Sequence, residues 1–248
     1  MFRAIETHLE VILPYRRKYL KESNFQIRYN NFHESNWTDS YLLFDGNKIV
    51  GYGAVKGLND IKERNTIFEF YLLKSQRHNA QEIYNTFIAA SNATYAEAQS
   101  NDILNTEMLN TFCKDITNPL IIFGRAQVRA NSKFNAKFRL SKTTDTTWKN
   151  KEAELEKYVL EIDNTVVAGG GFTTHYNKYY ADIFMEVKPS KRKRGLGSFI
   201  VQSLIKECQA LGLTPVAACS IENEASKNCL LKGGFLEIGH TLQGTLKV

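Results

Sequence analysis

The chain has 248 residues, of which 43% are hydrophobic and 23% charged. That is enough for one large domain or two small ones with a buried core, and the charge bias is too small for disorder. The net charge of +6 admits nucleic acid, an anionic membrane or a phosphorylated small molecule as partner and selects none of them. The excess is uneven: residues 1–124 carry 13 Lys/Arg against 14 Asp/Glu, and residues 125–248 carry 19 against 12. Four cysteines (Cys113, Cys208, Cys219, Cys229) form no CxxC pair, so packed thiols are expected and no metal site. There is no basic start followed by an apolar stretch, and no apolar run reaches the roughly 20 residues that span a bilayer. A soluble, cytoplasmic protein without a membrane partner is expected.

In chain order, the spacing of Leu9, Ile12, Leu13, Arg16 and Leu20 predicts an amphipathic helix over 6–22, with Pro14 awkward inside it. Residues 41–55 read as a hairpin through Asp45-Gly46-Asn47. A strand over 66–73, a helix over 81–91, a strand over 94–99 and a helix over 103–113 follow. Residues 118–151 are polar and read as a linker, which sets a boundary between 1–125 and 126–248. Beyond it come a hairpin over 158–172 through Asp163-Asn164, a strand over 180–187 and a helix over 198–211. A strand over 215–220 and a helix over 225–232 complete the series. The second half repeats the element order of the first. Gly53 falls against Gly170, Phe70 against Phe184 and Asp102 against Asn223, at an offset of roughly 114–121 residues, as a duplicated unit would give.

The informative stretch runs from Asp182 through Met185-Glu186-Val187 to Arg192-Lys193-Arg194-Gly195-Leu196-Gly197-Ser198. A strand enters a basic, glycine-punctuated loop that opens directly into an apolar helix. Such a layout suits an anion, because the first N–H groups of a helix have no internal partners and the dipole there favours negative charge. Gly195 and Gly197 let the backbone approach a phosphate closely. A solvated charge run is the plainer reading, yet this one is wedged between strand and helix. No Gly-Lys-Ser/Thr ending makes it a nucleotide-triphosphate loop, and the third glycine of a dinucleotide fingerprint is missing. Aromatics are not interleaved with the basic residues, so a nucleic-acid partner is not expected. Five of the seven residues 188–194 are Lys or Arg, nearly the size of the whole net charge.

Arg192-x-x-Gly195-x-Gly197 between strand and helix resembles the pyrophosphate loop of the GCN5-related N-acetyltransferase (GNAT) superfamily. Val187 ending the preceding strand, Asn223-Glu-Ala-Ser226 after the next one, and Gly234-Phe235 beyond it extend the resemblance over about 158–240. It implies an α/β fold of two GNAT-like domains, each with a mixed, mostly antiparallel sheet flanked by helices. It also implies transfer of an acetyl group from acetyl-CoA to a small-molecule amine. In the family a bulge near Met185–Val187 frees backbone groups for the cofactor's pantetheine amide and thioester carbonyl. By the same resemblance Arg192 to Ser198 hold the pyrophosphate, and Asn223 and Ser226 lie along the pantetheine arm.

Two family residues are missing. Leu230 stands where many members place a Tyr that protonates the departing thiolate, with Cys229 beside it a poor substitute, and Ala218 stands where some carry a Glu base. Asp182 and Glu186, four apart on the strand, are the candidate bases on one face; His175 and Tyr176 in the preceding turn are further candidates. Glu186 reads equally as a half-exposed strand carboxylate. The first half has His78 to Ile83 in place of the loop, so it is expected not to bind CoA. Its polar residues Glu69, Glu97, Gln99 and Asp102 are candidates for facing a cleft. A monomeric pseudo-dimer or a homodimer is expected. The competing reading is a non-catalytic acyl-CoA binding or sensing protein.

Overall fold

The computed structural model describes residues 1–22, 26–128, 134–145, 158–174, 177 and 180–247. The chain divides into two compact units, Met1–Leu120 with Gly239–Val248, and Ile121–Ile238.

The first unit contains β1 (Phe2–Thr7), α1 (Leu9–Glu22), α2 (Asn30–Glu34), β2 (Thr38–Asp45), β3 (Lys48–Lys56), β4 (Thr66–Leu72), α3 (Ala80–Ser91), β5 (Tyr95–Gln99), α4 (Ile103–Phe112) and β6 (Cys113–Thr117). Strands β1 to β4 pair antiparallel in sequence order, and β4 pairs β5 in parallel. The last strand of the chain, β13 (Leu236–Leu246), lies antiparallel to β5 and β6 through Thr241–Leu246. One face of this sheet is apolar: Val55, Ile67, Phe70 and Leu72 pack against Ile83 and Phe87 of α3 and Met108 of α4. A register shift after the Ala54–Glu69 pair leaves Phe68 unmatched, which brings Ile67 and Phe70 to the same face.

The second unit contains β7 (Leu120–Gly124), β8 (Lys137–Leu140), β9 (Tyr158–Ile162), β10 (Thr165–Thr173), β11 (Tyr180–Val187), α5 (Leu196–Ala210), β12 (Thr214–Ser220) and α6 (Glu224–Gly233). The strand order is β7-β12-β11-β10-β9-β8, with β11 and β12 parallel. Helix α5 buries Ile200, Leu204 and Cys208 against Ala181, Ile183 and Val187 of β11.

Most expected elements form close to their predicted bounds. The hairpin turn at Asp163-Asn164 carries positive φ at both residues (48° and 56°), as a two-residue turn with right-handed twist demands. Five strands, β1, β6, β7, β8 and β13, were not expected from the sequence. Strand β1 occupies the start of what read as one helix, and β6 follows α4 directly. Ile121, Ile122 and Phe123 of β7 are fully buried inside the stretch that read as a polar linker, and β13 closes the first unit. Where a single cut near 125 was expected, the packing gives Ile121–Gly124 to the second unit and Gly239–Val248 to the first.

The duplication is legible in the caps. Asp102 accepts from the N–H of Asn105 at the start of α4, and Asn223 accepts from the N–H of Ser226 at the start of α6. Both follow the parallel strand of their unit, as the alignment of Asp102 with Asn223 required.

Candidate functional site

In the second unit, β11 and β12 pair only from Tyr180 to Asp182 against Thr214 to Val216 and then part. Beyond that fork lies a cavity of about 910 Å³, within the range of small-ligand sites. Met185, Glu186 and Val187 line it from β11; Arg192, Lys193, Gly195, Leu196, Gly197 and Ser198 line it from the loop and the start of α5; Asn223 and Ser226 line it from α6. Lys191, Ala225, Asn228, Cys229 and Lys232 complete the wall.

The free backbone edge at Met185–Val187 has a different origin from the expected one. The β10–β11 register runs unbroken from Ala168–Val187 to Thr173–Asp182, so β11 carries no bulge against β10. The edge is bare because β12 diverges from it. The bulge of this sheet lies on the other side of β10, between Val166 and Ala168 against β9. With the register intact, alternation holds: Ala181, Ile183 and Val187 pack on α5, and Asp182, Phe184 and Glu186 point to the opposite face.

The loop is shaped for an anion. Lys193 and Gly195 both have left-handed φ (60° and 84°), a rare conformation for a lysine, and alternating handedness of this kind turns successive N–H groups to one side. Gly195 is the N-cap of α5, so the N–H groups of Leu196, Gly197 and Ser198 have no acceptor within the helix. A Cβ on Gly197 would come within 2.6 Å of the Cys229 sulfur, which shows how closely α6 approaches the start of α5. Arg192 braces the loop: its Nε donates to the Val187 carbonyl (3.0 Å) and its Nη2 to Glu186 (3.4 Å). Arg194 turns away, toward a separate cavity of about 310 Å³ walled by Phe134 and Ile162. These features fit a pyrophosphate-bearing cofactor such as acetyl-CoA: a concave set of N–H donors, cations at its rim, and glycine where a side chain would fill the space.

Asn223 spends its Oδ1 on the cap of α6, 3.0 Å from the Ser226 N–H, which leaves the Nδ2 donors for a ligand. Leu230, at the position of the missing Tyr, is 3% exposed and packs in the core, and among the described residues no phenol lines the cavity. Cys229 faces the cavity instead, and burial pushes its thiol up. Asp182 does not line the cavity; it sits at the fork, where the β11–β12 pairing ends. Burial pushes its carboxyl up to about 6 against the opposing hydrogen bond from Asn177. His175 and Tyr176 lie outside the described residues. Of the lining residues, Lys191, Asn228 and Lys232 were not singled out from the sequence, and Cys229 entered only as a poor substitute for the Tyr. The one usable signal for Asn228, Cys229 and Lys232 was their i, i+1, i+4 spacing on the helix that Asn223 caps.

In the first unit β4 and β5 also part early, after Thr66–Ile67 against Tyr95–Ala96. The polar residues there face no cleft. Glu69, Glu97, Gln99 and Asp102 are all buried, with partners from α1, α2 and residues Ile27 and Tyr29. Arg16 of α1 reaches both Glu69 oxygens (3.0 and 2.9 Å), and His33 and Tyr52 add bonds of 3.2 and 2.8 Å to the same carboxylate. Burial alone would raise the Glu69 carboxyl, but Arg16 and His33 outweigh it and hold it at about 2. Lys56 donates to Glu97 at 3.0 Å, and its ammonium lies 5.2–5.9 Å from the ring centres of Tyr29, Phe32 and Phe68. Tyr19 hydrogen-bonds Asp102 at 2.8 Å.

Residues 127–235 match the sequence model of the acetyltransferase (GNAT) family. Its second unit thus carries a GNAT-family domain, and both units have the GNAT-like fold. Among solved structures, a GNAT-family acetyltransferase from Colwellia psychrerythraea superposes with a TM-score of 0.75 at 15% identity, over 100% of both chains. A tandem GNAT protein from the clavulanic acid biosynthesis pathway gives 0.62 at 8% identity, over 99% of this chain and 98% of that one. At these identities the likeness is one of fold. No curated protein matches the chain. Among the described residues, no helix is long and apolar enough to cross a membrane.

Proposed function

We propose that the protein is an acetyl-CoA-dependent N-acetyltransferase acting on a small amine, with the cofactor held by the second unit alone. The observation that carries this is the fork between β11 and β12, floored by the Lys193–Ser198 backbone. Acetyl-CoA supplies an activated acyl group as a thioester. Backbone N–H groups of Lys193 to Ser198 and the side chains of Lys191, Arg192 and Lys193 hold its pyrophosphate. The bare edge of Met185–Val187 and the Nδ2 of Asn223 bind along the pantetheine arm. A donor fixed at a developing oxyanion is worth about 10²–10³ in rate, and holding two reactants together contributes more. Asp182 is the general base in this reading, taking the ammonium proton of the acceptor. Its carboxyl, ionised above about pH 6, is matched to that task near neutrality. Glu186 on the same face is tied to Arg192 and serves to hold the loop. The thiolate leaves unassisted, since an ordinary thiol pKa near 8.5 makes it a fair leaving group.

The first unit is a degenerate copy in this reading. A 3-10 turn, Lys74–Asn79, stands in place of the glycine loop, and side chains from α1 and α2 fill its fork. Calorimetry with acetyl-CoA is expected to give one site per chain. Gly197→Val is expected to weaken that binding strongly, and release of free thiol is expected with some of a panel of amines (spermidine, phenylethylamine, lysine). Absence of acetyl-CoA binding by the intact protein would overturn the proposal. The burial of Leu230 favours a second reading, an acyl-CoA sensor, for which binding would persist with no thiol released.

A further inference from the structure

Asn177 precedes β11 and is 1% exposed. Its carbonyl accepts from the Tyr180 N–H at 2.8 Å, which ties Asn177 to the start of the strand. Its side-chain Nδ2 donates to Asp182 Oδ2 at 2.9 Å, and Asn177 is the one hydrogen-bond partner of that carboxylate among the described residues. A buried amide is a costly group unless it is satisfied, and here it donates to the Asp182 carboxylate. The strands on either side of Asp182 present Thr173 of β10 and Val216 of β12, neither of them titratable. Helix α5 packs on the other face of β11, and Glu186, two strand repeats along, is braced by Arg192. The carboxylate is therefore oriented by an uncharged donor that keeps its form at every pH, which leaves Oδ1 as the free acceptor.

We propose that Asn177 is a positioning residue: it holds one oxygen of Asp182 so that the other is presented at the fork for the acceptor's proton. This rests on the reading of Asp182 as the general base. A hydrogen bond to a charged acceptor is worth about a factor of ten or more in equilibrium. Removing this one should therefore move the Asp182 titration upward by about one pH unit. Asn177→Leu keeps the side-chain volume and loses the donor. The test is a pH titration of the full chain labelled at the aspartate carboxyl carbons, observed by NMR, with the Asp182 signal assigned by its loss in Asp182→Asn. A higher midpoint in Asn177→Leu, with acetyl-CoA affinity unchanged, supports the proposal; an unmoved midpoint overturns it. With an amine that turns over, the rising limb of kcat/KM against pH should shift by the same amount, and the rates should converge with wild type above pH 8. A uniform loss at all pH values would mark a merely structural role and also overturn it. If the leucine variant does not fold, Asn177→Ser, too short to reach Oδ2, takes its place under the same criteria. Full turnover by Asp182→Asn would remove Asp182 as base. An inactive Asp182→Asn alongside an unmoved limb in the Asn177 variants would sink the positioning role alone.

Discussion

At the scale of the residue, the candidate site combines two demands on single positions that substitutions can separate. Asn223 caps α6 with its oxygen and offers its nitrogen to the cavity. Asn223→Asp keeps the acceptor for the Ser226 N–H and adds a charge favourable at a helix N-terminus. Its thermal midpoint is expected to stay at or slightly above that of wild type while acetyl-CoA affinity, read by calorimetry, falls. Asn223→Ala should lose both, with about 1 kcal/mol of stability gone with the cap. Lys193 carries a left-handed φ that a side chain resists by roughly 1–2 kcal/mol. Lys193→Gly should therefore unfold at higher denaturant yet bind acetyl-CoA more weakly, for want of one cation. Gain in both stability and affinity would contradict the view that strain is held there for the ligand. The identity of these residues was readable in the sequence through the Arg-x-x-Gly-x-Gly spacing, and the double use of Asn223 was not. A capping bond exists only once the chain has turned at residue 223.

At the scale of the element, equivalent forks in the two sheets have opposite fates. Between β11 and β12 the gap opens into a cavity lined by the start of α5, by Asn223 and Ser226, and by basic side chains of the loop. Between β4 and β5 it is filled by Arg16, His33, Tyr52 and Glu69, each buried. A buried ion pair adds little over a well-packed apolar pair, but losing one partner leaves an unpaired charge. Arg16→Met is expected to cost about 3–5 kcal/mol by denaturant titration, and Arg16→Met with Glu69→Leu considerably less. A double variant as unstable as the single one would contradict this account. The pH dependence follows from Glu69. Its carboxyl sits at about 2 in the folded state against an ordinary 4.5, so its contribution is complete above pH 4.5 and lost as pH falls from there toward 2. In Glu69→Gln the stability should be lower at neutral pH and flatter across that window. The helices and central strands here were legible from periodicity. The helix read over 6–22 proved to be β1 followed by α1, because an edge strand of six residues alternating between half-buried and exposed leaves a weak pattern.

At the scale of the whole molecule, the two units do not follow chain order. Gly239–Val248 belongs to the first unit, where Thr241–Thr245 of β13 pairs with Tyr95–Gln99 and Gln243 reaches Glu97 at 3.1 Å. Truncation at Ile238 is therefore expected to loosen β5 and β6, far away in sequence, and to uncover Cys113 and its neighbours where Leu246 packs. Hydrogen exchange should then rise first at Tyr95–Gln99. Protection unchanged there would show that β13 is dispensable to the first unit's sheet.

Two copies of one α/β plan, a basic, glycine-bearing loop ahead of a helix in the second, and the absence of the Tyr common among GNAT proteins are all legible in the residues alone. Each of these is a local pattern of spacing, and local spacing survives unfolding. Long-range packing is what bares β11 by the departure of β12 and not by a bulge, and what turns Cys229 to the cavity while Leu230 enters the core. It alone seals the first unit's carboxylates beneath α1 and sends the last strand to the first sheet. Those outcomes depend on which distant segments compete to bury the same surface. No window of sequence contains both competitors.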